Sequence, residues 1–350
     1  MRILVYEFVS GGGCAGLAVA AALAAEGLAM RTALVADLAA TGSHEIVTTT
    51  DVRFRRPAPE RVEVVEVRPG SVAVIEALMA SVDAVWLVAP ETNRCLEGLA
   101  ADVERGGRIL LGSNSVAIRR ASDKSGLPRR LARIDVRHPE TITLPRGSDA
   151  YGNAGRLGYP VVVKPRRGAG SHGVRLARNE QELRTAIAAC DGACAPFGTT
   201  AARTGQRGVV IQRYLRGVPA SVSLLADGRS AVALAVSRQR MSASSGFAYL
   251  GGRTPLDHPQ AASAVDAAIR TCVALPGLRG YVGVDVLLTD TGPVVIEVNA
   301  RLTTAYLGVR AVFDENVAEL ALAACQGALP AQPVARRRVR FTASGLVAAA

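Results

Sequence analysis

Carboxylate and amide side chains are concentrated in one short stretch, residues 280–301, with the sequence GYVGVDVLLTDTGPVVIEVNAR. The stretch predicts two strands, and a turn centred near Thr291 makes Asp285 and Glu297 cross-strand neighbours on one face. Asn299 shares that face, because side chains alternate along a strand. Carboxylate and amide oxygens suit Mg²⁺, a hard cation that also holds phosphate. The stretch therefore predicts a magnesium site.

The alternative for this stretch is a half-solvated hairpin whose polar side chains face water. Apolar residues flank the acidic and amide residues on both strands, so the face that carries them is not simply solvent-exposed. The prediction depends on a regular register, because a β-bulge would move one carboxylate away from the other.

Lysine is rare in this chain, and the two lysines, Lys124 and Lys164, stand among 41 basic residues. A lysine kept where arginine is otherwise used indicates a need for a compact, flexible point charge. Lys164 ends a predicted strand in YPVVVKPRRGAGSHGVRLA, and Gly168, Gly170 and Gly173 follow it. Glycines permit a hairpin loop whose N–H groups close over phosphates. The lysine precedes the glycines, so the stretch is not a Walker A loop. The alternative to a phosphate-binding loop is an ordinary β-turn.

A second glycine-rich stretch follows the first predicted strand, RILVYEF. Gly11, Gly13 and Gly16 match G-x-G-x-x-G, and a predicted strand near 31–36 ends at Asp37. This is the pattern of a dinucleotide-binding unit and favours an NAD-linked oxidoreductase as an alternative function. The other interpretation is a tight strand-to-helix turn whose N–H groups face an anion.

Composition narrows the class of protein. The net charge is +11, but the arginines are spread along the chain and aromatic residues make up only 4 %, so we expect an anionic small-molecule substrate and no nucleic acid. The start, MRILVYEFVS, lacks signal-peptide features, and no apolar run reaches the roughly 18–20 residues of a membrane span. Of the six cysteines, only Cys190 and Cys194 are closely spaced, so we expect reduced thiols in a cytoplasmic protein.

Strands and helices alternate over residues 1–115, which predicts a parallel α/β domain. The predicted strands lie at 2–8, near 31–36, and at 47–53, 62–67, 84–89 and 108–112, with helices at about 16–27, 71–80 and 91–105. Later strands at 209–215, 220–227 and 230–241 follow one another and predict an antiparallel sheet.

Lys124, Lys164 with its glycines, Gln212 and the E-x-N-x-R segment ending at Arg301 together resemble the ATP-grasp superfamily of carboxylate–amine ligases. The resemblance covers about residues 110–315. It implies an ATP-grasp fold of α/β and α+β class, with ATP clamped between two antiparallel sheets. The implied parts are an N-terminal parallel α/β domain at 1–115, a small lid domain at 116–207, a C-terminal antiparallel catalytic sheet at 208–330 and a basic, Ala-rich tail at 331–350.

The resemblance also implies residue roles. Lys124 and Lys164 would hold ATP phosphates, and Arg301 together with Lys164 would act on the acyl phosphate or γ-phosphate. The loop that covers the phosphates would comprise Gly168, Gly170, Ser171, His172 and Gly173, and the adenine edge would meet Gln212, Arg213, Tyr214 and Leu215. Asp285, Glu297 and Asn299 would bind Mg²⁺, or Mn²⁺ in its place. His172 either touches phosphate or is a solvated loop histidine.

Two positions depart from the superfamily pattern. Gln212 stands where a glutamate commonly contacts the adenine edge, which weakens the expected preference for adenine. Pro219, after Gly217, stands where a ribose-binding acid is often found.

Further segments resemble the tyramine–L-glutamate ligase subgroup, which serves the biosynthesis of methanofuran-type cofactors. They are MRILVYEFVSGGG, EGLAM at 26–30, APET at 89–92, SDK at 122–124, and YLGG with its following proline at 249–255. This resemblance implies that the γ-carboxyl group of glutamate is joined to tyramine or a furan-type amine in a methylofuran-type pathway. Candidate substrate residues are Glu7, Gly12, Gly13, Arg238, Gln239 and Tyr249, each of which has a structural role as the alternative.

Three other functions stay open on the sequence. The first is an ATP-grasp ligase that adds glutamate or another amino acid to a different cofactor. The second is the NAD-binding oxidoreductase. The third is a nucleotide-binding regulatory protein without turnover, which the departures at Gln212 and Pro219 allow. A homodimer is the expected assembly.

Overall fold

The computed structural model describes residues 1–145, 154–168, 170–192, 208–242 and 247–350, and within them the chain forms three β-sheets. The first is parallel and the other two are antiparallel, as expected for the ATP-grasp fold. Cys194, one of the cysteines noted in the sequence, lies outside the described residues.

The N-terminal sheet has five parallel strands in the order β3-β2-β1-β4-β5. Its strands are β1 (Arg2–Glu7), β2 (Glu45–Asp51), β3 (Val62–Val67), β4 (Ala84–Val88) and β5 (Ile109–Leu110). The helices around it are α1 (Ala21–Ala40), α2 (Val72–Ser81) and α3 (Cys95–Arg105). The two central strands are the most apolar, and every residue of β4 is buried, as expected for strands covered by helices on both faces.

The predicted strand near 31–36 is wrong, because α1 continues through it to Ala40. A short apolar run cannot be told from a buried helical segment by pattern alone. The Ala-rich helix before the run continues through Gly27 without a break, and Leu34 and Leu38 are spaced to share the buried face. Asp37 therefore lies on a helix, where Arg310 donates hydrogen bonds to it. The second strand that the dinucleotide-binding pattern requires before Asp37 is therefore absent at residues 31–36.

The second sheet has four antiparallel strands in the order β6-β9-β7-β8. These strands are β6 (Thr141–Pro145), β7 (Val161–Pro165), β8 (Arg175–Ala177) and β9 (Gly208–Arg213). Two short helices, α4 (Ser115–Ser122) and α5 (Leu127–Ala132), precede the sheet, and α6 (Glu180–Gly192) packs on it. Val161, Val163 and Ile211 form the core under α6 together with Leu183, so the opposite face of the sheet is free to meet another part of the chain.

The third sheet has seven antiparallel strands in the order β14-β13-β10-β11-β12-β15-β16. They are β10 (Val218–Asp227), β11 (Ala231–Met241), β12 (Tyr249–Thr254), β13 (Arg279–Thr289), β14 (Gly292–Asn299), β15 (Val339–Thr342) and β16 (Val347–Ala349). The helices of this part are α7 (Ala261–Val273), α8 (Tyr306–Val312) and α9 (Val317–Cys325). Val222, Val284 and Ala264 belong to one apolar cluster, which places α7 on one face of the sheet.

Residues 331–350, expected to be a tail, contribute two strands to this sheet. β15 pairs with β12, and Phe341 is buried. The close approach depends on Gly251, whose φ is +122° and where an added Cβ would lie 2.1 Å from the Phe341 carbonyl oxygen. Only glycine combines that backbone conformation with the absence of a side chain.

The five described cysteines are buried free thiols, and burial raises the pKa of Cys272 to about 12. In the described residues, no helix combines the length and apolar character needed to cross a membrane.

Candidate active site

Asp285 and Glu297 are cross-strand partners on β13 and β14, so the predicted pairing is confirmed. The turn is one residue tighter than expected, since Thr289 pairs with Gly292. A bulge then places one extra residue, Ile296, in β14 and brings Glu297 opposite Asp285. The bulge therefore restores the pairing that the tight turn would otherwise shift.

The two carboxylates differ in their surroundings. The Asn299 amide donates a hydrogen bond of 3.2 Å to Asp285 Oδ2, and Gln239 donates one of 2.9 Å to Oδ1. Burial and the neighbouring Glu297 carboxylate raise the pKa of Asp285. Burial also acts to raise the pKa of Glu297, but the ammonium groups of Lys124 and Lys164 outweigh it and lower that pKa. Two adjacent carboxylates that compete for the same positive charge are an arrangement that a divalent cation would neutralise.

This donor set fits Mg²⁺ only together with phosphate and water. Within residues 1–145, 154–168, 170–192, 208–242 and 247–350, no group of three or more Asp, Glu, His or Cys side chains is placed to hold a metal ion. Mg²⁺ is commonly held by one or two carboxylates, with the remaining positions taken by substrate phosphates and waters. Asp285, Glu297 and the Asn299 oxygen could supply that protein share.

Both lysines converge on Glu297 from different elements. Lys124 lies between α4 and α5, and its Nζ is 3.3 Å from Glu297 Oε2. Lys164 is the penultimate residue of β7 and is only 9 % exposed. Burial lowers its pKa to about 8; the Glu297 carboxylate opposes this shift, and the repulsion from Lys124 adds to it. The lysines that stood out in the sequence thus meet the carboxylate pair across the cleft between the two antiparallel sheets.

The glycine-rich loop lies beside the lysines. Lys124 Nζ donates a 2.8 Å hydrogen bond to the Gly168 carbonyl oxygen. Gly170, Ser171 and Gly173 all have positive φ, which gives this loop its tight bend. His172 is exposed, and Ala169 lies outside the described residues.

Salt bridges hold the base of this loop. Arg166 donates two hydrogen bonds of 2.8 Å to the Asp123 carboxylate, next to Lys124 in sequence. Arg167 lies 3.7 Å from Glu97 of α3, and burial lowers its pKa. The loop is therefore anchored to the segment before it and to the N-terminal domain.

The predicted adenine-side residues lie on and after β9. Gln212 pairs with Val162 of β7, and side-chain alternation places it on the same sheet face as Lys164. Gln212 is buried, and its amide donates a 3.1 Å hydrogen bond to Thr141 Oγ1. Arg213 is exposed and paired with Glu140, while Tyr214 and Leu215 are half-buried in the following loop.

Arg301 has a partner that the sequence did not indicate. Its Nε and Nη2 each donate a 3.0 Å hydrogen bond to Glu91, and its Nη1 donates to the Leu302 carbonyl oxygen. Glu91 follows β4 in the N-terminal domain, within the APET segment. Burial opposes the charge on Arg301, but Glu91 outweighs it and raises the arginine's pKa.

The position of Glu91 in the parallel sheet is the signal that could have drawn attention to it. In the order β3-β2-β1-β4-β5, successive strands are added on one side of β1 up to β3 and on its other side from β4 onward, so the strand order reverses between β1 and β4. Ligands of open α/β sheets bind at this point, outside the carboxyl ends of the strands. The loop that carries Glu91 also holds Asn93 and Arg94 at φ of +54° and +59°, a conformation that is costly for such residues and clusters at functional sites.

Two of the predicted substrate residues reach the carboxylate face. Gln239 contacts Asp285 as described, and burial together with the Asp285 charge raises the pKa of Tyr249 well above its ordinary value. Arg238 is exposed and pairs with Ala220, so side-chain alternation places it on the opposite face of the sheet. The structure does not bring Arg238 to this site.

The predicted residues of the first glycine stretch have local partners. Glu7 is 2 % exposed and accepts hydrogen bonds from the Val9 and Ser10 N–H groups and from the Ser10 hydroxyl. A Cβ on Gly12 would lie 2.4 Å from Val67, and one on Gly13 equally close to the ring of Phe8. Close packing therefore explains why Gly12 and Gly13 are glycines. Helix α1 begins only at Ala21, so these glycines do not form its N-terminus.

Two known domain families match consecutive parts of the chain. A model of the ATP-grasp domain matches residues 121–305, more than half of the chain, and a pre ATP-grasp 3 domain matches residues 44–118. The chain belongs to the ATP-grasp family. Members of this family are ATP-dependent ligases. The matched range contains both lysines, the glycine-rich loop and the whole segment from Asp285 to Arg301.

Solved structures share the ATP-grasp architecture along the chain. A putative ATP-grasp superfamily protein from Archaeoglobus fulgidus is 25 % identical, with a TM-score of 0.68 over 97 % of this chain and 92 % of that one. Biotin carboxylase from Campylobacter jejuni is 17 % identical, with a TM-score of 0.74 over 97 % and 74 %. The D-alanine–D-alanine ligase of Bacillus anthracis, complexed with ATP, is 20 % identical, with a TM-score of 0.59 over 86 % of both chains. At such identities the latter two show the fold alone.

Proposed function

We propose that this chain is an ATP- and Mg²⁺-dependent ligase that joins a carboxylate to an amine through an acyl phosphate. The observation that carries the proposal is the convergence of Lys124 and Lys164 on the Asp285–Glu297 pair between two antiparallel sheets. Two ammonium groups and a carboxylate pair in one cleft suit a nucleotide triphosphate with its metal.

The residues of the chain would position and neutralise charge. Lys124 and Lys164 would bind phosphate oxygens, and the glycine-rich loop at 168–173 would exclude water above them. Asp285, Glu297 and Asn299 would hold Mg²⁺, which when bound neutralises phosphate charge. No side-chain nucleophile is needed, because the carboxylate substrate itself attacks the γ-phosphorus and displaces ADP. The amine, in its neutral form, then attacks the acyl phosphate, displaces inorganic phosphate and loses one proton as the amide forms.

The proposed substrates are the γ-carboxyl group of glutamate and tyramine or a furan-type amine, in methylofuran-type cofactor biosynthesis. Three segments of the subgroup resemblance support this choice, because all of them lie at one junction. Glu26 contacts Thr304, Glu91 contacts Arg301, and the charge of Asp285 acts on Tyr249. The segments therefore border the space between the N-terminal domain and the catalytic sheet, where the two substrates would meet.

A matrix of substrates tests this function. ADP formation from Mg-ATP is measured for pairs of carboxylic acids and amines, and we expect it to require both glutamate and tyramine or a furan-type amine. Isoglutamine, which keeps a free γ-carboxyl group, should replace glutamate, whereas glutamine should not. ADP formation that requires another amino acid in place of glutamate would instead support a ligase that serves the biosynthesis of a different cofactor. The absence of any ADP across the matrix would contradict the ligase function itself.

A further inference from the structure

One face of α1 packs on the C-terminal part of the chain. Ala29 and Ala33 of this face contact the buried cluster of Ala305, Leu307 and Phe341. Positions 26, 29, 33 and 37 follow the three-to-four-residue spacing that places side chains on one side of a helix. The face therefore carries an acid at each end, Glu26 and Asp37.

The two acids have different partners. Asp37 forms a salt bridge with Arg310 and also accepts a hydrogen bond from the Tyr306 hydroxyl. Glu26 accepts a hydrogen bond from the Thr304 hydroxyl through Oε1. Among the residues that the structure describes, no lysine, arginine or histidine forms an ion pair with Glu26. The chain has a net charge of +11, yet this half-buried carboxylate has no cationic partner within the described part of the chain.

Glu26 lies at the end of the helix face that is nearer the candidate site. Its partner Thr304 follows Arg301 by three residues, and Tyr249 packs against the same cluster as Ala29. The pKa of Tyr249 is raised by burial, by Asp285 and then by the charge of Glu26. Burial acts to lower the pKa of Arg301, but Glu91 and, after it, Glu26 raise it. Glu26 therefore lies near both Tyr249 and the segment that carries Arg301 and Thr304.

We propose that Glu26 binds the ammonium group of the amine substrate. The inference rests on the proposed function, which requires an amine to approach the acyl phosphate near Arg301. A carboxylate with one neutral partner keeps its second oxygen available, and an ammonium group would provide the charge-assisted hydrogen bond that Asp37 already receives from Arg310. Tyr249, which packs against the same cluster as Ala29, offers an aromatic surface that suits the hydrocarbon part of an arylalkylamine.

Kinetics of the Glu26→Gln variant test the subsite. With tyramine as the probe, KM for tyramine should rise about tenfold or more, as expected for loss of a charged hydrogen bond, while KM for ATP stays unchanged. Inhibition by 4-ethylphenol, which is tyramine without the amino group, should be the same for the variant and the wild type. Glu26→Asp keeps the charge and should recover part of the affinity for tyramine.

Two control variants separate binding from folding. Glu76→Gln changes an exposed acid on α2 and should alter neither KM nor melting temperature. Asp37→Asn removes the acid at the other end of the same helix face and should lower the melting temperature while leaving KM for tyramine unchanged.

The possible failures are distinguishable. Tyramine-dependent ADP formation in the wild type with an unaltered KM in Glu26→Gln overturns the subsite and leaves the proposed function standing. An equal loss of tyramine and 4-ethylphenol affinity in Glu26→Gln also overturns it, because the loss would then not depend on the ammonium group. A wild type that forms ADP with no amine overturns the subsite and the ligase function together.

Discussion

Arg301 of the E-x-N-x-R segment and Glu91 of the N-terminal domain form a salt bridge with two hydrogen bonds, both at 3.0 Å. The two side chains are 13 % and 4 % exposed, so the pair is almost fully withdrawn from water. The pair joins the loop after β4 to the E-x-N-x-R segment. Any motion of the N-terminal domain against the seven-stranded sheet must therefore move Arg301 as well or break this contact.

Replacement of Glu91 by glutamine should destabilise the protein. The change leaves the guanidinium of Arg301 buried without its counter-charge, which costs about 3 kcal/mol in the free energy of unfolding. Denaturant titration measures this loss. The double variant Glu91→Gln with Arg301→Met should recover part of it, because an apolar side chain needs no counter-charge. Unfolding curves for Glu91→Gln that superimpose on the wild type would show that the pair is not formed in solution.

Asp285→Asn and Glu297→Gln should each reduce ADP formation by about 10²-fold or more, because each removes a charged ligand of the proposed metal. The circular dichroism spectrum should stay that of the wild type, since both residues are half-buried polar side chains that lie outside the apolar clusters. Asp290→Asn is the matched control, because Asp290 is an exposed acid at the turn of the same hairpin. Wild-type turnover in both site variants would contradict the assignment of the metal site.

The carboxylate pair and its lysines could be predicted because the signals are local. A hairpin fixes which residues face each other. The turn is one residue shorter than the sequence predicted, and the bulge at Ile296 compensates for this, so Asp285 and Glu297 still face each other. Lys124 and Lys164 stood out by composition. Their convergence on Glu297 followed from the family order and not from any local pattern, since more than a hundred residues separate each lysine from it.

The remaining features depend on contacts that no local pattern encodes. Arg301 and Glu91 are 210 positions apart, so nothing beside the arginine indicates its partner. The apolar run at 31–36 suits a strand as well as a helix, and the Ala-rich segment before it decided in favour of the helix. Glu7 has a side chain suited to substrate binding, but it is used to accept N–H groups of the loop that follows it.

Lys164 should make stability depend on pH in alkaline solution. Its pKa is about 8 in the folded chain because the side chain is buried, against 10.5 without that burial. Between these values the unfolded chain binds a proton that the folded chain releases, so folding becomes more favourable as pH rises from 8 to 10. The gain is on the order of 2 to 3 kcal/mol.

The comparison with Lys164→Met isolates this effect. From pH 8 to pH 10, the free energy of unfolding of the wild type should rise relative to that of the variant. The other titrating groups are common to both chains, so their effects cancel in this difference. A difference that stays constant over this range would mean that Lys164 keeps an ordinary pKa.

Gly251→Ala should lower stability, because β12 and β15 approach too closely for a side chain. The added methyl group would lie 2.1 Å from the Phe341 carbonyl oxygen, and the φ of +122° strains any residue but glycine. We expect a loss of about 2–4 kcal/mol in the free energy of unfolding. Gly98→Ala is the matched control on α3, where nothing lies within 4 Å of the new Cβ, and it should gain about 0.5–1 kcal/mol. A neutral Gly251→Ala would show that residues 339–342 do not pair with β12 in solution.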